Sequence, residues 1–255
     1  MIVVKSPREI EIMARAGHVT AQAHRLVKEA IVPGITTGEL DSMVEELLSE
    51  MGAVPAFKGY GGFPASICSS LNHQVVHGIP SKKVVLREGD ILSVDIGAIV
   101  DGYVGDAAAT YPVGAVNSEA RRLIEVTSCA LDRGIAQAVE GNCLTDISAA
   151  IQQWVESQGF SVVRDYVGHG IGQRMHEDPQ IPNFGPPGYG PRLAAGMVLA
   201  IEPMVNAGGY SVKTLNDGWT VVTIDGSLSA HFEHTVAITK DGPKVLTTLV
   251  EEGDV

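Results

Sequence analysis

Two aspartates stand in runs that are otherwise apolar or β-rich. Asp95 lies within Ile91-Leu92-Ser93-Val94-Asp95-Ile96-Gly97, and Asp106 within the run from Tyr103 to Val113. The stretches 91–100 and 103–113 flank Asp101-Gly102, a dipeptide that strongly signals a two-residue hairpin. Paired positions then sum to 203, as Val100 and Tyr103 do, so Asp106 faces Gly97 and Asp95 faces Ala108. Side chains alternate along a strand, which makes Asp95 and Asp106 diagonal neighbours on one face, ~5.5–8 Å apart. Amid Ile91, Leu92, Val94 and Ile96, two adjacent carboxylates are costly to bury unless paired or bound to a cation. On a solvent-facing side of the hairpin they would need no partner.

The histidines carry weaker signals. His169 sits in Gly168-His169-Gly170-Ile171-Gly172, where flanking glycines remove side chains and permit unusual backbone angles. The G-x-G also brings dinucleotide loops to mind, but the third glycine is misplaced and no helix start follows. His176-Glu177-Asp178-Pro179 lacks the second histidine of H-E-x-x-H, and Pro179 would break the helix that motif needs. His77 lies in Val75-Val76-His77-Gly78-Ile79-Pro80. Each of these, taken alone, serves as well on a surface or in a packed core. No G-x-S-x-G is present to suggest a serine hydrolase.

The elements that must position these groups come in two similar sets. Ser6-Pro7-Arg8-Glu9 has the capping-box form with Pro at the first helical position, and Thr36…Glu39 opens a second helix closed by Gly52. A later pair begins at Asn117 or Ser118 and at Thr145 or Asp146, stopped by Gly159. Gly34 and Gly141, Leu40 and Ile147, Val44 and Ile151, Leu48 and Val155, and Gly52 and Gly159 are each 107 apart. The same offset relates Leu86-x-x-Gly89-x-x-Leu92-x-Val94-Asp95 to Leu193-x-x-Gly196-x-x-Leu199-x-Ile201-Glu202. This spacing predicts an internal duplication, residues 6–112 and 118–240, in one domain spanning 1–255. Each half would be two helices followed by antiparallel strands, an α+β arrangement around a curved sheet. Glu202 is then the repeat mate of Asp95, and Glu233 is a candidate second carboxylate for its half. Four carboxylates meeting at a pseudo-twofold axis need cations, and a two-metal centre is the natural solution.

The string Asn72-His73-Gln74-Val75-Val76-His77-Gly78-Ile79-Pro80, with Asp95, Asp106, Gly-His169-Gly, Ile-Glu202-Pro and Glu233-His-Thr, resembles the type I methionine aminopeptidases over essentially the whole chain. The resemblance implies the "pita-bread" fold and two divalent metal ions (Co, Mn, Fe or Zn). It implies that Asp95 chelates one metal, that His169 and Glu202 bind the other, and that Asp106 and Glu233 bridge both. It implies removal of the initiator methionine from nascent chains whose second residue is small, a bridging water acidified to hydroxide attacking the scissile carbonyl. Glu202 would be the general base, His176 would stabilise the carbonyl oxygen, and His77 would contact the amide nitrogen side. The methionine side chain and its flanks would lie among Phe57, Tyr60, Phe63, Cys68, His77, Met175, His176 and Trp219. X-prolyl peptidases share the ligand pattern but carry an extra N-terminal domain, for which a first capping box at Ser6 leaves no room. A binding protein on the same fold would be expected to have lost ligands, and all five are present.

Composition fits that reading. The 255 residues are 45% hydrophobic and 19% charged, and 18 Lys+Arg against 30 Asp+Glu give a net charge of −12. So acidic a chain is a poor phosphate binder, so no direct nucleic-acid partner is expected. Three cysteines without C-x-x-C argue against a disulfide framework and fit a reducing compartment. Glu9 and Glu11 interrupt the N-terminal apolar stretch, so it is not a signal peptide, and the longest apolar run, 193–201, cannot span a bilayer. A cytoplasmic monomer that meets nascent chains near the ribosome and makes no membrane contact is expected.

Overall fold

The capping boxes form. In the computed structural model, which describes residues 1–249, helix α1 (Pro7–Ala30) is capped by Ser6, whose backbone N–H donates to Glu9 Oε2 at 2.7 Å. Helix α2 (Thr37–Glu50) repeats the device, with Thr36 N–H donating to Glu39 Oε2 at 2.8 Å. The other two helices are α3 (Ser118–Gln137), capped by Asn117, and α4 (Leu144–Ser157). The start of α4 differs from expectation: its N-cap is Cys143, not Thr145 or Asp146, and Asp146 Oδ2 instead accepts from the Cys143 N–H at 2.7 Å. A cysteine is not a usual cap, so the polar signals of this start, Thr145 and Asp146, lie inside the helix rather than at its cap.

The strands run in chain order as β1 (Val54–Pro55), β2 (Ile67–Leu71), β3 (Gln74–Val76), β4 (Ile91–Val100), β5 (Tyr103–Pro112), β6 (Ser161–Val162), β7 (Gly168–Gly170) and β8 (Glu177–Ile181). They continue as β9 (Val198–Ile201), β10 (Met204–Asn206), β11 (Val212–Thr214), β12 (Val221–Thr223), β13 (Ser229–His231), β14 (Glu233–Thr239) and β15 (Gly242–Val245). Nine of them form one antiparallel sheet in the order β1-β4-β5-β14-β9-β7-β8, with β2 also on β4 and β15 also on β14. Two three-stranded sheets, β13-β10-β6 and β11-β12-β3, stand beside it.

The helices cover one face of the large sheet. Gly105 of β5 shows why α1 lies so close: a Cβ there would come within 2.5 Å of the Gly17 backbone. On α4, Ile147, Ile151 and Val155 are fully buried with Leu199, Ile201, Val236 and Ile238 of the sheet. Burying each such side chain is worth about 1.5–3 kcal/mol, against about 1 for a cap, so packing rather than capping holds α4 in place. Gly105, Leu199 and Ile201 alternate with Asp106, Ala200 and Glu202, so the carboxylates point to the opposite face. Residues 250–255 of the expected single domain lie outside the described residues.

Candidate active site

The hairpin register is the expected one: Asp95 pairs with Ala108, and Gly97 with Asp106. Strand β14 then places Glu233 on the other side of Ala108, so Asp95, Ala108 and Glu233 form one row across the sheet. His234 pairs with Ile201, and one further step sets Glu202 opposite Glu233 just past the end of β9. A second row lies two residues along each strand. Gly97 pairs with Asp106, and the Asp106 N–H donates to Thr235 Oγ1 at 3.0 Å while that hydroxyl donates to the Asp106 carbonyl at 2.8 Å. Thr235 pairs with Ala200, and Ala200 with His169. A two-residue step keeps the face, so Asp95, Asp106, His169, Glu202 and Glu233 project to one side. The residues between them, Gly97, Ala108 and Ala200, are small and leave the space above the sheet open. At Gly97 even a Cβ would press within 2.8 Å of Phe57.

The glycines around His169 fill one of the two expected roles, the removal of side chains, and not the other. Neither is at positive φ. A Cβ on Gly168 would lie 2.4 Å from the Ala200 carbonyl, and one on Gly170 2.1 Å from that of Asp178. Close strand packing, not unusual backbone angles, demands them. His169 Nδ1 donates to the Gly170 carbonyl at 2.9 Å, which leaves Nε2 as a free lone pair. That Nε2 lies 3.6 Å from Glu202 Oε1. Ligand atoms of Asp106, His169 and Glu233 fall within 4.8 Å of one another, as do those of Glu202, His231 and Glu233.

These groups are poorly satisfied by the protein itself. Asp95 Oδ1, Asp106 Oδ1, Glu233 Oε1 and His231 Nε2 are buried without a hydrogen-bond partner. Burial pushes the Asp95, Glu202 and Glu233 carboxyls well above the ordinary range, the nearby Asp106 charge adding to each. Burial raises Asp106 itself to about 7. Two carboxylates 4 Å apart repel by about 4 kcal/mol at an effective dielectric of about 20, so four cannot be ionised together without cations. The donor set is carboxylate and imidazole, which suits borderline divalent ions.

Above the carboxylates lies a cavity of about 750 Å³, counting its open mouth. Phe57, Tyr60, Phe63, Cys68, His77, Met175, His176 and Trp219 all line it, with the five row residues at its floor. Trp219 packs edge-on to Phe63 (5.1 Å between centroids) and to His77 (6.4 Å). His77 has φ of +59°, a left-handed conformation that holds its ring between Trp219 and Tyr166. His176 Nδ1 is 2.7 Å from the Tyr60 hydroxyl, and its ring centroid is 4.3 Å from that of His169. Asp95, expected as a ligand, belongs to neither donor group, and nor do His77 and His176. Burial lowers His77 and His169 to about 4 and lowers His176 too, so all three are neutral at neutral pH. The buried ion pair Lys5–Glu177 (2.7 Å) ties the N-terminal segment to the turn that carries Met175 and His176.

Four lining residues were not anticipated: Tyr166, Val167, Met204 and His231. His231 stands two residues before Glu233, a spacing that shares a face along an extended chain, and that was its only signal. Tyr166 and Val167 precede the Gly-His-Gly string without any motif of their own.

Comparison with known proteins agrees with this architecture. Residues 11–240 match the model of metallopeptidase family M24. The methionine aminopeptidase of Clostridium acetobutylicum is 57% identical over 247 residues, covering 97% of this chain and 99% of that one. The crystal structure of the Thermotoga maritima methionine aminopeptidase superposes with a TM-score of 0.96 at 51% identity, covering 97% of this chain and all of that one. The prolidase from Pyrococcus furiosus shares the fold at a TM-score of 0.79 and 27% identity, but only 65% of its chain is covered. With its pita-bread fold and its carboxylate-lined cavity, the chain belongs to metallopeptidase family M24, among the methionine aminopeptidases.

Proposed function

We infer that this chain is a metal-dependent aminopeptidase that removes the N-terminal methionine from nascent polypeptides whose second residue is small. The observation that carries the reading is the convergence of four carboxylates, Asp106 and Glu233 buried and Asp95 and Glu202 half-buried, with the His169 lone pair beneath an aromatic cavity, several of their atoms lacking any protein partner. Asp95, Asp106, His169, Glu202 and Glu233 would hold the metal, Asp106 and Glu233 being shared between two ions. Two divalent ions balance four carboxylates in charge. Bound there, they would supply Lewis acidity and a water acidic enough to attack a peptide carbonyl.

The chain's own residues do the rest. Phe57, Tyr60, Phe63, Cys68, Met175 and Trp219 surround the methionine side chain with apolar and polarizable atoms, which suits a thioether. The free α-amino group lies toward Asp95, so only a chain end fits. Glu202, as a carboxylate, would accept a proton from the attacking water and deliver it to the leaving amine nitrogen. His176, braced by Tyr60, faces the carbonyl oxygen of the scissile bond, and His77 its nitrogen. The enzyme would act as a monomer. Among the described residues no helix is long and apolar enough to cross a membrane. The three free cysteines suit the cytoplasm, where chains emerge from the ribosome.

The test is hydrolysis of Met-Ala-Ser before and after chelation, then with each metal restored. Activity that is lost to chelator and recovered with a divalent ion is expected. Turnover indifferent to chelation, or cleavage of Lys-Ala-Ser at the same rate, would refute the reading.

We propose also that the chain is a single domain built from two copies of one unit, residues 6–112 and 118–240. Superposition of the two helix pairs should bring Asp95 onto Glu202. Landing on unrelated strand positions would sink the duplication.

A further inference from the structure

We propose that His231 is a sixth protein ligand of the metal centre, its Nε2 joining Glu202 and Glu233 around one divalent ion. The inference rests on the metal-dependent reading above.

The backbone that carries this ring is pinned. The His231 N–H donates to Thr110 Oγ1 at 2.9 Å, and the same hydroxyl donates back to the His231 carbonyl at 2.9 Å. Ser93 Oγ, 2.8 Å away, must then be the donor to Thr110. Strand pairing sets His231 opposite Met204, another cavity residue. The residue is 2% exposed, and its Nε2 has no hydrogen-bond partner. A buried imidazole nitrogen without a partner calls for an explanation.

Its surroundings supply one. Nε2 lies 3.4 Å from Glu202 Oε2 without forming a hydrogen bond to it. Two ligand atoms about 2.1 Å from one ion, at a near-tetrahedral angle, stand about 3.4 Å apart. On the other side of the same carboxylate, Oε1 faces His169 Nε2 at 3.6 Å. Glu202 is thus flanked by an imidazole nitrogen at each oxygen, and Glu233 completes a donor group on the His231 side. A second imidazole would move the preference of the site from hard ions such as Mg²⁺ toward Co²⁺ and Zn²⁺. The competing role is that of a positioning group whose N–H orients Glu202 without touching metal, and a glutamine could fill it.

The experiment uses the full chain stripped of metal and labelled with ¹⁵N-histidine. Co²⁺ is titrated calorimetrically into the wild type, His231→Gln and His231→Ala, and the Co²⁺-loaded proteins are examined by NMR. Two histidine rings with the large hyperfine shifts of direct coordination are expected in the wild type, and one in His231→Gln. Affinity for the tighter Co²⁺ should fall by at least about tenfold in both variants. The wild-type ring count stands even if a variant folds poorly. A single coordinated ring in the wild type, or wild-type affinity in His231→Gln, would overturn the proposal while leaving the metal centre intact. A wild type that binds no Co²⁺ would overturn the metal-dependent reading with it.

Discussion

The two halves of the chain place matching elements 107 residues apart but deliver their carboxylates differently. Helix α2 spans 37–50 and α4 spans 144–157, so both ends differ by 107. The isolated bridges Thr36–Val85 and Cys143–Arg192 differ by 107 at each end, and β4 and β9 start 107 apart. In the first half, Asp95 and Asp106 come from one tight hairpin and are diagonal neighbours. In the second, Glu202 and Glu233 stand opposite each other, separated by the excursion through β10 to β13. That excursion carries Met204, Trp219 and His231 into the cavity. The first half brings Phe57, Tyr60 and Phe63 to the cavity beside its hairpin carboxylates, and the second brings Tyr166, Trp219 and most of the histidines.

The largest effect should come from the two carboxylates proposed to be shared between the ions, one from each half. Asp106→Asn and Glu233→Gln each replace an anion by a neutral amide that cannot balance two cations. Each should lower turnover by more than about a thousandfold and reduce bound metal, measured by elemental analysis. If one variant keeps normal turnover, the halves do not contribute equally and the dinuclear reading fails.

The second comparison sets two histidines against each other. His169→Ala should lose metal. His176→Ala should keep its metal yet lower turnover by two to three orders of magnitude, about what one lost electrostatic donor is worth, ~2.7–4 kcal/mol. Metal stoichiometry and turnover measured on both variants separate the roles. Equal metal loss would mean that His176 belongs among the ligands. Trp219 of the excursion comes next: Trp219→Ala should cost methionine substrates ~1–3 kcal/mol in kcat/KM through lost apolar contact. Unchanged efficiency would place its ring at the rim.

The hairpin carboxylates were legible because a two-residue turn fixes the register and leaves no freedom in which residues face each other. Glu202 was legible through the repeat offset. His231 and Tyr166 were not, because their place depends on β13 pairing with β10 and on the approach to β7, contacts made at long sequence separation. The glycines beside His169 are plain in the sequence, but which of their two possible reasons applies is not. From the sequence, a glycine needed for positive φ and one needed because a carbonyl lies 2.4 Å from where its Cβ would stand look the same. Cys143 as a cap was hidden by its residue type.

The metal-free protein tests whether the halves repel each other. Folded, its four carboxylates hold protons that the unfolded chain releases, since burial raises all four, Asp106 to about 7. A raised carboxyl pKa stabilises the fold at low pH, and the contribution is lost as pH rises through the folded value. The buried neutral histidines act in the opposite sense, but their contribution is complete by about pH 6.5. From about pH 6.5 upward through pH 7, where Asp106 ionises, the chelated protein should therefore lose thermal stability, and divalent metal should restore it. A metal-free midpoint that rises over that interval would contradict the charge argument.

The smallest expected effect lies at the start of α4. Thr36 and Cys143 hold equivalent places before α2 and α4, and the residue three positions on, Glu39 or Asp146, accepts from the cap N–H in both. In α2 the Thr36 hydroxyl also accepts from the Glu39 N–H at 3.2 Å. In α4 a thiol, a weak acceptor, stands in that place. Cys143→Thr should therefore strengthen that half of the box and stabilise the protein by about 0.5–1 kcal/mol, without changing kcat. Thr36→Cys should cost a similar amount. Equilibrium denaturation of the two variants measures both. If Cys143→Thr destabilises, the α4 cap depends on burial of the sulfur rather than on the hydrogen bond, and the likeness between the two helix starts ends at the backbone.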